Sequence, residues 1–586
     1  MDPLPPDSVR IPAWAELPLL LVLAGVLFFS GLGHAPLWDD DETRFASVAR
    51  AMLGSGDWVV PRFHGELADK PPLLFWAIAA SFRLFGETNG AARLPSVLFA
   101  LLAVAVTWET ARRLYDRRIA WWSGLALATS LLFSAEARLA TTDSMLLALV
   151  ACAMLIGAGQ WWKRGASFHG GPIGRGAAFA IGAVCGLGVL VKGPAALLLP
   201  VLALWLFVWW MRPVPAEASF LQPGPVLHGG WKSLLAMRPL AIMAGVALIA
   251  LPWHALVWHE TGGDWFRVFY LQHYAGRLAW LEPITGEAMQ PVQGHRGFPF
   301  FQLVSLLGGF FPWSVFLPLA VWRMFRGAMV RRWNGQPHPA ARLLILWLMT
   351  WLVVVSFSST QLPHYVFPAY PAAAIMVAVL LVRAVRDPDG VARGWLYAAA
   401  GGLAFGGIVL AAVPVIATGA GVLPWMPGLM LVGLVPVACA CVYALLVHAG
   451  RRRSAAAVFG CAAVALCAAV FRFAAPSVGS LNPMPDMIRS ADAAAGGRAR
   501  LAAWRTSMPM VVWHAGRPVR FCTSAEEVAT FLKTGPDACA IVDASSYGVV
   551  CEVLGTNARI IRRGQPLLRK GEAVLIAAPR GSGAGA

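Results

Sequence analysis

Two short clusters in an otherwise apolar chain hold the side chains best suited to chemistry: Trp38-Asp39-Asp40-Asp41-Glu42-Thr43-Arg44 and Asp69-Lys70-Pro71-Pro72. Of the 586 residues 58% are hydrophobic and 13% charged. Four adjacent carboxylates cost too much to bury in hydrocarbon and add nothing to a membrane anchor, so their presence implies use. Asp41 is expected to deprotonate or orient a nucleophile, Glu42 to hold Arg44 or an amine, and Asp143 to bind an acceptor or a hydroxyl. Lys70, Arg44, Lys192 and His273 are cations suited to phosphate oxygens and to negative charge that grows in a transition state. Asp69 with His273 offers two ligands for a divalent metal, Zn or Mg.

Each of these residues also has a plainer reading. Asp39 or Asp40 would cap a helix starting near Glu42, and Asp143, following Thr141-Thr142, could be a cap as well. Lys192 stands beside Gly193-Pro194 at a span end, where it could snorkel to headgroups. Pro71-Pro72 stops any helix running through Lys70 and puts that lysine at a bend. His273 could be an ordinary hydrogen-bonded histidine.

The elements that must position these residues are membrane spans. A mean hydropathy of +0.63 with 26 Trp lies far outside soluble composition. Apolar windows fall near 16–33, 94–111, 119–135, 143–162, 176–191, 193–211, 238–258, 300–322, 342–357, 363–383, 394–416, 424–448 and 454–471, about thirteen spans. Basic residues follow the even-numbered ones: Arg112, Arg113, Arg117 and Arg118; Lys163, Arg164 and Arg175; Arg212, Lys232 and Arg238; Arg323, Arg326, Arg331 and Arg332; Arg383, Arg386 and Arg393; Arg451 to Arg453. Those loops are read as cytoplasmic. Loops 34–93, 136–142, 259–299, 358–364 and 417–423, with the Lys192-Gly193-Pro194 break, then face outward, and so does everything after about residue 474. The net charge of +17 and pI near 10.0 reflect these anchors facing membrane lipids and do not point to nucleic acid. The first span, lacking a small-residue cleavage site, is expected to be a retained helix.

Two parts are expected: a membrane domain over 1–475 and a small outer α/β domain over 476–586. In the second, Arg500 to Trp504, Met510 to Trp513, Ala538 to Asp543 and Ala573 to Ala578 read as strands, and Ser524-Ala525-Glu526-Glu527 as a capping box opening a helix to about Lys533. Residues 580–586, rich in glycine, read as disordered. Ala46 to Leu53 and Trp265 to Tyr274 read as interfacial helices roofing a cavity. Cys152, Cys185, Cys439, Cys441, Cys461 and Cys467 lie in spans; among Cys522, Cys539 and Cys551 one disulfide is possible.

Pro36-Leu37-Trp38, Asp41-Glu42-Thr43-Arg44-Phe45-Ala46, Gly56-Asp57-Trp58-Val59-Val60-Pro61 and Asp69-Lys70-Pro71-Pro72 together resemble the bacterial aminoarabinose transferases that modify lipid A, which belong to the GT-C glycosyltransferases alongside the protein O-mannosyltransferases. The resemblance continues in order through Asp143, Val191-Lys192-Gly193, Leu251-Pro252-Trp253, His273, His295-Arg296, Pro312-Trp313 and Leu362-Pro363-His364-Tyr365. It implies a polytopic α-helical GT-C fold with about thirteen transmembrane helices and an outer α/β domain. It further implies an undecaprenyl-phosphate sugar donor, a lipid A type acceptor, and a site facing the periplasm from the bacterial inner membrane. By the same likeness Asp41 and Asp143 are the acidic residues, Lys70 a phosphate-binding lysine, His273 a metal ligand, and His295, Arg296 and Tyr365 substrate contacts. The chain departs from the pattern in having Ala68-Asp69 before Lys70 where the family has Phe-Glu, Ser358-Ser359-Thr360-Gln361 where lysines are common, and Phe45 where Tyr is usual. Two other readings remain: a polyprenyl-phosphate hexose transferase acting on a protein or glycan hydroxyl, and a transporter or lipid flippase. A transporter would place ionisable residues near mid-membrane in repeated halves, and no internal repeat is visible.

Overall fold

The computed structural model describes residues 12–162, 168, 170–212, 223–274, 298, 300–329, 338–358, 360–387, 389–420, 424–565 and 571–579. His295, Arg296 and the Gly-rich end at 580–586 therefore lie outside the described residues.

Helices account for every apolar window. Among the described residues nine are long and apolar enough to cross a membrane: α4 (Asn89–Leu114), α7 (Asp143–Trp161), α8 (Arg175–Lys192), α11 (Pro239–Thr261), α14 (Pro339–Ser356), the stretch Pro363–Arg386 that contains α15 (Tyr370–Arg386), α16 (Arg393–Gly419), α17 (Pro427–His448), and the stretch Arg452–Ser477 that contains α18 (Arg452–Ala469). A tenth window, read over 300–322, holds α12 (Phe301–Gly309) bent by 115° against the segment Trp313–Met329, which holds α13 (Leu317–Met329). Shorter helices fill the other windows: α1 (Glu16–Phe29), α5 (Arg117–Ala128) followed by α6 (Leu131–Glu136), and α9 (Ala195–Trp210). Outside the windows lie α2 (Asp40–Ser55), α3 (Leu73–Phe85) and α10 (Pro223–Ala236).

Local chemistry sets the boundaries that matter for the site. Thr88 Oγ1 accepts from the Ala91 amide at 3.1 Å and starts α4. Asp116 accepts from the Arg118 and Ile119 amides at 2.8 and 2.9 Å and starts α5. Gly193, at φ +84°, ends α8 immediately after Lys192. Glycines also set how closely α8 and α11 approach: a Cβ at Gly182 would collide with the Ile242 carbonyl, and one at Gly245 with that of Phe179. Small residues allow this backbone-to-backbone packing, which lipid cannot drive by hydrophobicity alone.

Helix α2 packs its apolar side into the protein. Its apolar residues Phe45, Ala46, Val48, Ala49 and Met52 are buried against α3, with Phe45 and Phe75 ring centroids 5.8 Å apart, and against α20 (Met508–Ala515) of the C-terminal region. The Pro71-Pro72 pair does more than end a segment. Pro72 is the N-cap of α3, a helix the hydropathy windows did not separate from the surrounding loop.

Ahead of Lys70, β1 (Arg62–Phe63) and β2 (Glu66–Leu67) form a short antiparallel pair. The C-terminal region is a five-stranded mixed sheet ordered β4-β3-β5-β7-β6, with β3 (Arg500–Trp504), β4 (Val519–Phe521), β5 (Ala538–Asp543), β6 (Arg559–Gly564) and β7 (Ala573–Ala577). β3 pairs in parallel with β4 and β5, and β7 pairs antiparallel with β5 and β6. The period-two alternation sends Leu501 and Ala503 to one face, against α19 (Met484–Ala494) and α20, while Ala502 and Trp504 meet α21 (Ala525–Leu532) and α22 (Tyr547–Leu554) on the other. The strand expected at Met510 to Trp513 is part of α20. The run Met510-Val511-Val512-Trp513 is a short apolar stretch whose period does not separate strand from helix, and the proline at its start favours the latter. Ser524 does cap α21, accepting from the Glu527 amide at 3.4 Å, while the Glu527 carboxylate receives the Thr523 amide at 2.9 Å. All nine cysteines are free thiols, so no disulfide joins Cys522, Cys539 and Cys551. Cys539 lies in the core of one sheet face and Cys522 in that of the other.

Candidate active site

The four carboxylates at the start of α2 go to four different places. Glu42 is fully buried and does not face Arg44: its two oxygens receive Arg93 Nε at 2.8 Å and Arg93 Nη2 at 3.0 Å, and Oε1 also takes the Ala140 amide at 2.9 Å. That geometry removes Glu42 from the substrate-binding set and makes it a brace. Arg93 completes the brace by donating to the carbonyls of Leu32, Ala35 and Pro36 at 2.8 to 3.0 Å, locking the turn that leads into α2. Asp40 accepts from Ser507 of the C-terminal region. Asp39 occupies the N-cap position of α2 but makes no side-chain cap bond, so the capping role expected of it is not taken up. Burial, then the charges of Asp41 and Glu42, push its carboxyl up to about 7.

Asp41 is only partly buried, and its charge acts on His364 across the site. His364 anchors the centre, with Nδ1 3.8 Å from Glu136 and Nε2 3.9 Å from Asp143. Asp143, the first residue of α7, is not the helix cap, a position held by Thr142. Its Oδ1 accepts from Lys192 Nζ at 2.6 Å. Lys192 therefore turns into the protein, and the snorkelling reading does not hold for it. Its ammonium also sits 5.3 Å from the centroid of the Tyr365 ring. Glu136 accepts from Thr141 Oγ1 at 3.1 Å.

Lys70 arrives from the loop ahead of α3. Its Nζ lies 3.4 Å from Asp69 Oδ2, and Asp69 Oδ1 is 3.6 Å from Arg44 Nη1. The charge of Lys70 reaches both Asp143 and His364. Three indoles hold the loop that carries it: Trp76 donates to the Trp58 carbonyl at 2.8 Å, Trp253 to that of Val59 at 2.9 Å and Trp265 to that of Ala68 at 2.9 Å. Gln302, fully buried, donates to the Leu362 carbonyl at 3.2 Å and so fixes the turn ahead of Pro363-His364-Tyr365.

Of the residues singled out from sequence, the fold thus joins Asp41, Arg44, Asp69, Lys70, Asp143, Lys192 and Tyr365 in one neighbourhood. His273 lies on the helical turn Arg267–Tyr274, and the position of its side chain is outside the described residues. Asp69 does not suit a metal: two cations already flank its carboxylate, and a divalent ion there would meet both. No cluster of three or more His, Cys, Asp or Glu able to hold a metal occurs among the described residues. Sequence reasoning missed Glu136 and His364. The signal was present for both, in an acid at the outer end of the third window and in a His between Pro363 and Tyr365.

Several known proteins are similar to this chain. Residues 69–242 match the family model described as dolichyl-phosphate-mannose-protein mannosyltransferase. The undecaprenyl phosphate-alpha-4-amino-4-deoxy-L-arabinose arabinosyl transferase of Pseudomonas paraeruginosa is 31% identical over 381 residues, 64% of this chain and 61% of that protein. The protein of the same name from an Enterobacter species is 30% identical over 390 residues, 65% and 62% of the two chains. The match therefore spans less than two thirds of the length of these relatives. The crystal structure of ArnT from Cupriavidus metallidurans bound to undecaprenyl phosphate superposes with a TM-score of 0.72 at 21% identity, covering 97% of this chain and 100% of that one. That likeness extends through the membrane helices and the C-terminal sheet alike.

Proposed function

We propose, from the premise that this chain is an aminoarabinose-transferase-like member of the GT-C fold family, that it moves a sugar from undecaprenyl phosphate to lipid A at the periplasmic face of the bacterial inner membrane. The sugar is 4-amino-4-deoxy-L-arabinose. One observation carries the reading: Lys70, Arg44 and Lys192 converge with Asp41, Asp143 and His364 at the end of the spans opposite the arginine-rich loops. A cation cluster at a membrane surface, interleaved with acids, fits a reaction in which phosphate leaves.

In this scheme an oxygen of the lipid A phosphate attacks the anomeric carbon. The bond from that carbon to the carrier phosphate breaks, and its electron pair leaves on undecaprenyl phosphate, so the configuration inverts. The acceptor is already ionised near neutral pH and needs no strong base. Its difficulty is the approach of two phosphates, which cations relieve. Lys70 and Arg44 are placed to screen the leaving phosphate. Lys192, tied to Asp143 and stacked on Tyr365, is placed to orient it. Asp41 is the carboxylate available to the sugar amine or to an incoming nucleophile. The acid-histidine set of Glu136, Asp143 and His364 favours a second reading, transfer to a hydroxyl with one of these groups as general base.

The test is sugar transfer by purified protein in a lipid environment, with undecaprenyl-phosphate aminoarabinose as donor and lipid A as acceptor, read by mass spectrometry. The expected product is lipid A heavier by one aminoarabinose on phosphate. Transfer undiminished in the Asp41→Asn, Lys70→Ala double variant would refute the site, and a product linked through a hydroxyl would replace the first reading with the second.

A further inference from the structure

A charged cavity lies at the end of the helices away from the candidate active site. Its volume is about 500 Å³, and Tyr115, Trp322, Arg323, Arg326, His338 and Arg383 are among the residues that line it. Helix α15 links the two ends, from Tyr370 near the site to Arg383 near its C-terminus. At about 1.5 Å per residue, the stretch from Pro363 to Arg386 spans roughly the hydrocarbon thickness. The cavity is therefore at the cytoplasmic surface by the distribution of arginines.

Arginines at that surface are normally solvated anchors, and Arg386 behaves as one, pairing with Asp116 at 2.8 Å where both are well exposed. Arg323 is different. One end of its guanidinium donates to the Gly390 carbonyl, its Nε is enclosed without a hydrogen-bond partner among the described residues, and the positive charge of Arg383 acts against its own. Asp387 is the one acid among the described residues that line the cavity, and its charge offsets part of that repulsion at Arg323. Two guanidiniums held in mutual repulsion, one with an unsatisfied donor, are arranged as an anion would require. The rim is apolar and open to lipid: Trp322 and Phe325 are half exposed, and Arg326 lies over the Trp322 ring at 5.0 Å. Tryptophan beside arginine is the composition of the headgroup layer.

We propose that the cavity lined by Arg323, Arg326 and Arg383 binds a phosphate group at the cytoplasmic membrane surface, that of an anionic phospholipid headgroup. The site is separate from the one at which sugar transfer is proposed and does not rest on that reading.

The experiment uses the full chain purified in detergent and reconstituted in phosphatidylcholine with or without phosphatidylglycerol, with bound lipid counted by native mass spectrometry. Wild type is expected to retain phosphatidylglycerol that the Arg323→Ala, Arg383→Ala double variant loses, with affinity about tenfold or more weaker per guanidinium removed. Arg383→Gln alone, at an exposed position, should show the loss without disturbing the fold. Arg386→Ala, outside the cavity, should retain lipid as wild type does. Displacement by inorganic phosphate would assign the site to phosphate from either source, and resistance to it would assign it to the lipid. Equal retention by wild type, Arg383→Gln and the double variant would overturn the proposal.

Discussion

Replacing Arg93 with Met would leave the Glu42 carboxylate in a fully buried position with no cation beside it. The wild-type pair is 4% and 0% exposed, and Arg93 makes five hydrogen bonds, two to Glu42 and three to the carbonyls of Leu32, Ala35 and Pro36. Removing one partner of such a pair strands a buried charge and costs about 3–5 kcal/mol. Glu42→Gln in the same background removes the stranded charge while keeping an acceptor for the Ala140 amide, so the double variant should recover about half of the loss or more. It should not recover all of it, because three carbonyls remain without their donor. Arg93→Lys keeps the charge but cannot reach five acceptors with three protons, and an intermediate cost of about 1–2 kcal/mol is expected. The assay is thermal inactivation of purified protein in a fixed detergent, run as a double-mutant cycle and paired with kcat and KM. Because Glu42 adjoins Asp41, kcat should fall in Arg93→Met before unfolding is complete. If the two single changes add with no coupling, or if Arg93→Met melts with wild type, the brace is not what holds α2 in place.

Three further outcomes follow from the geometry. Lys192→Met removes the cation 2.6 Å from Asp143 and should reduce turnover by about 10²–10³, as measured by initial rates at a temperature where the variant is folded. Asp39 ionises near pH 7 in the folded chain against an ordinary value of 3.8. The folded state thus holds a proton that the unfolded state has released, and stability should fall as pH rises from about 4 to about 7, by up to a few kcal/mol. Asn at that position should flatten the slope in melting curves taken across that range. Trp513→Ala deletes a ring lying 4.1 Å from the Arg50 guanidinium and stacked on Phe82, together with a 3.3 Å bond to Asn89. Limited proteolysis should then cleave between the membrane helices and β3, where wild type resists.

The spans were legible in the sequence because hydrocarbon imposes a long apolar run on every crossing, and that requirement does not depend on tertiary detail. What hydropathy does not carry is where a run bends or what a short amphipathic helix packs against. The 115° turn between α12 and the segment from Trp313 falls inside a window of uniform apolarity. Helix α2 reads as interfacial because its partners, α3 and α20, lie about 20 and 460 residues along the chain. The same limit shaped the site. Asp41, Lys70 and Asp143 stood out as charges in apolar surroundings, a purely local signal. Glu42 was placed with Arg44, its neighbour two residues on, because nothing local shows that Arg93 is the stronger partner. Glu136 and His364 pair only once α6, α7 and the turn before α15 are brought together.

Four carboxylates in one helical turn repel one another, and the fold resolves this by giving each a separate fate. Glu42 is neutralised by Arg93, Asp40 is tied to Ser507, and Asp39 is held close to neutrality by burial beside its neighbours. Asp41 is left as the carboxylate whose charge is directed towards His364 and the cation cluster. The row is then a means of leaving one acid out of four available to the site, with the C-terminal region supplying part of the neutralisation. Asp40→Asn keeps an acceptor for Ser507, and Asp39→Asn keeps the neutral form that already exists below pH 7, so both should hold turnover within a few-fold of wild type at pH 6.5. Asp41→Asn, isosteric and equally conservative, should lower kcat by about 10²-fold or more. Steady-state rates for the three variants under one set of conditions decide it: comparable losses at all three positions would mean that the negative field of the whole row matters, and the separate roles assigned here would fall.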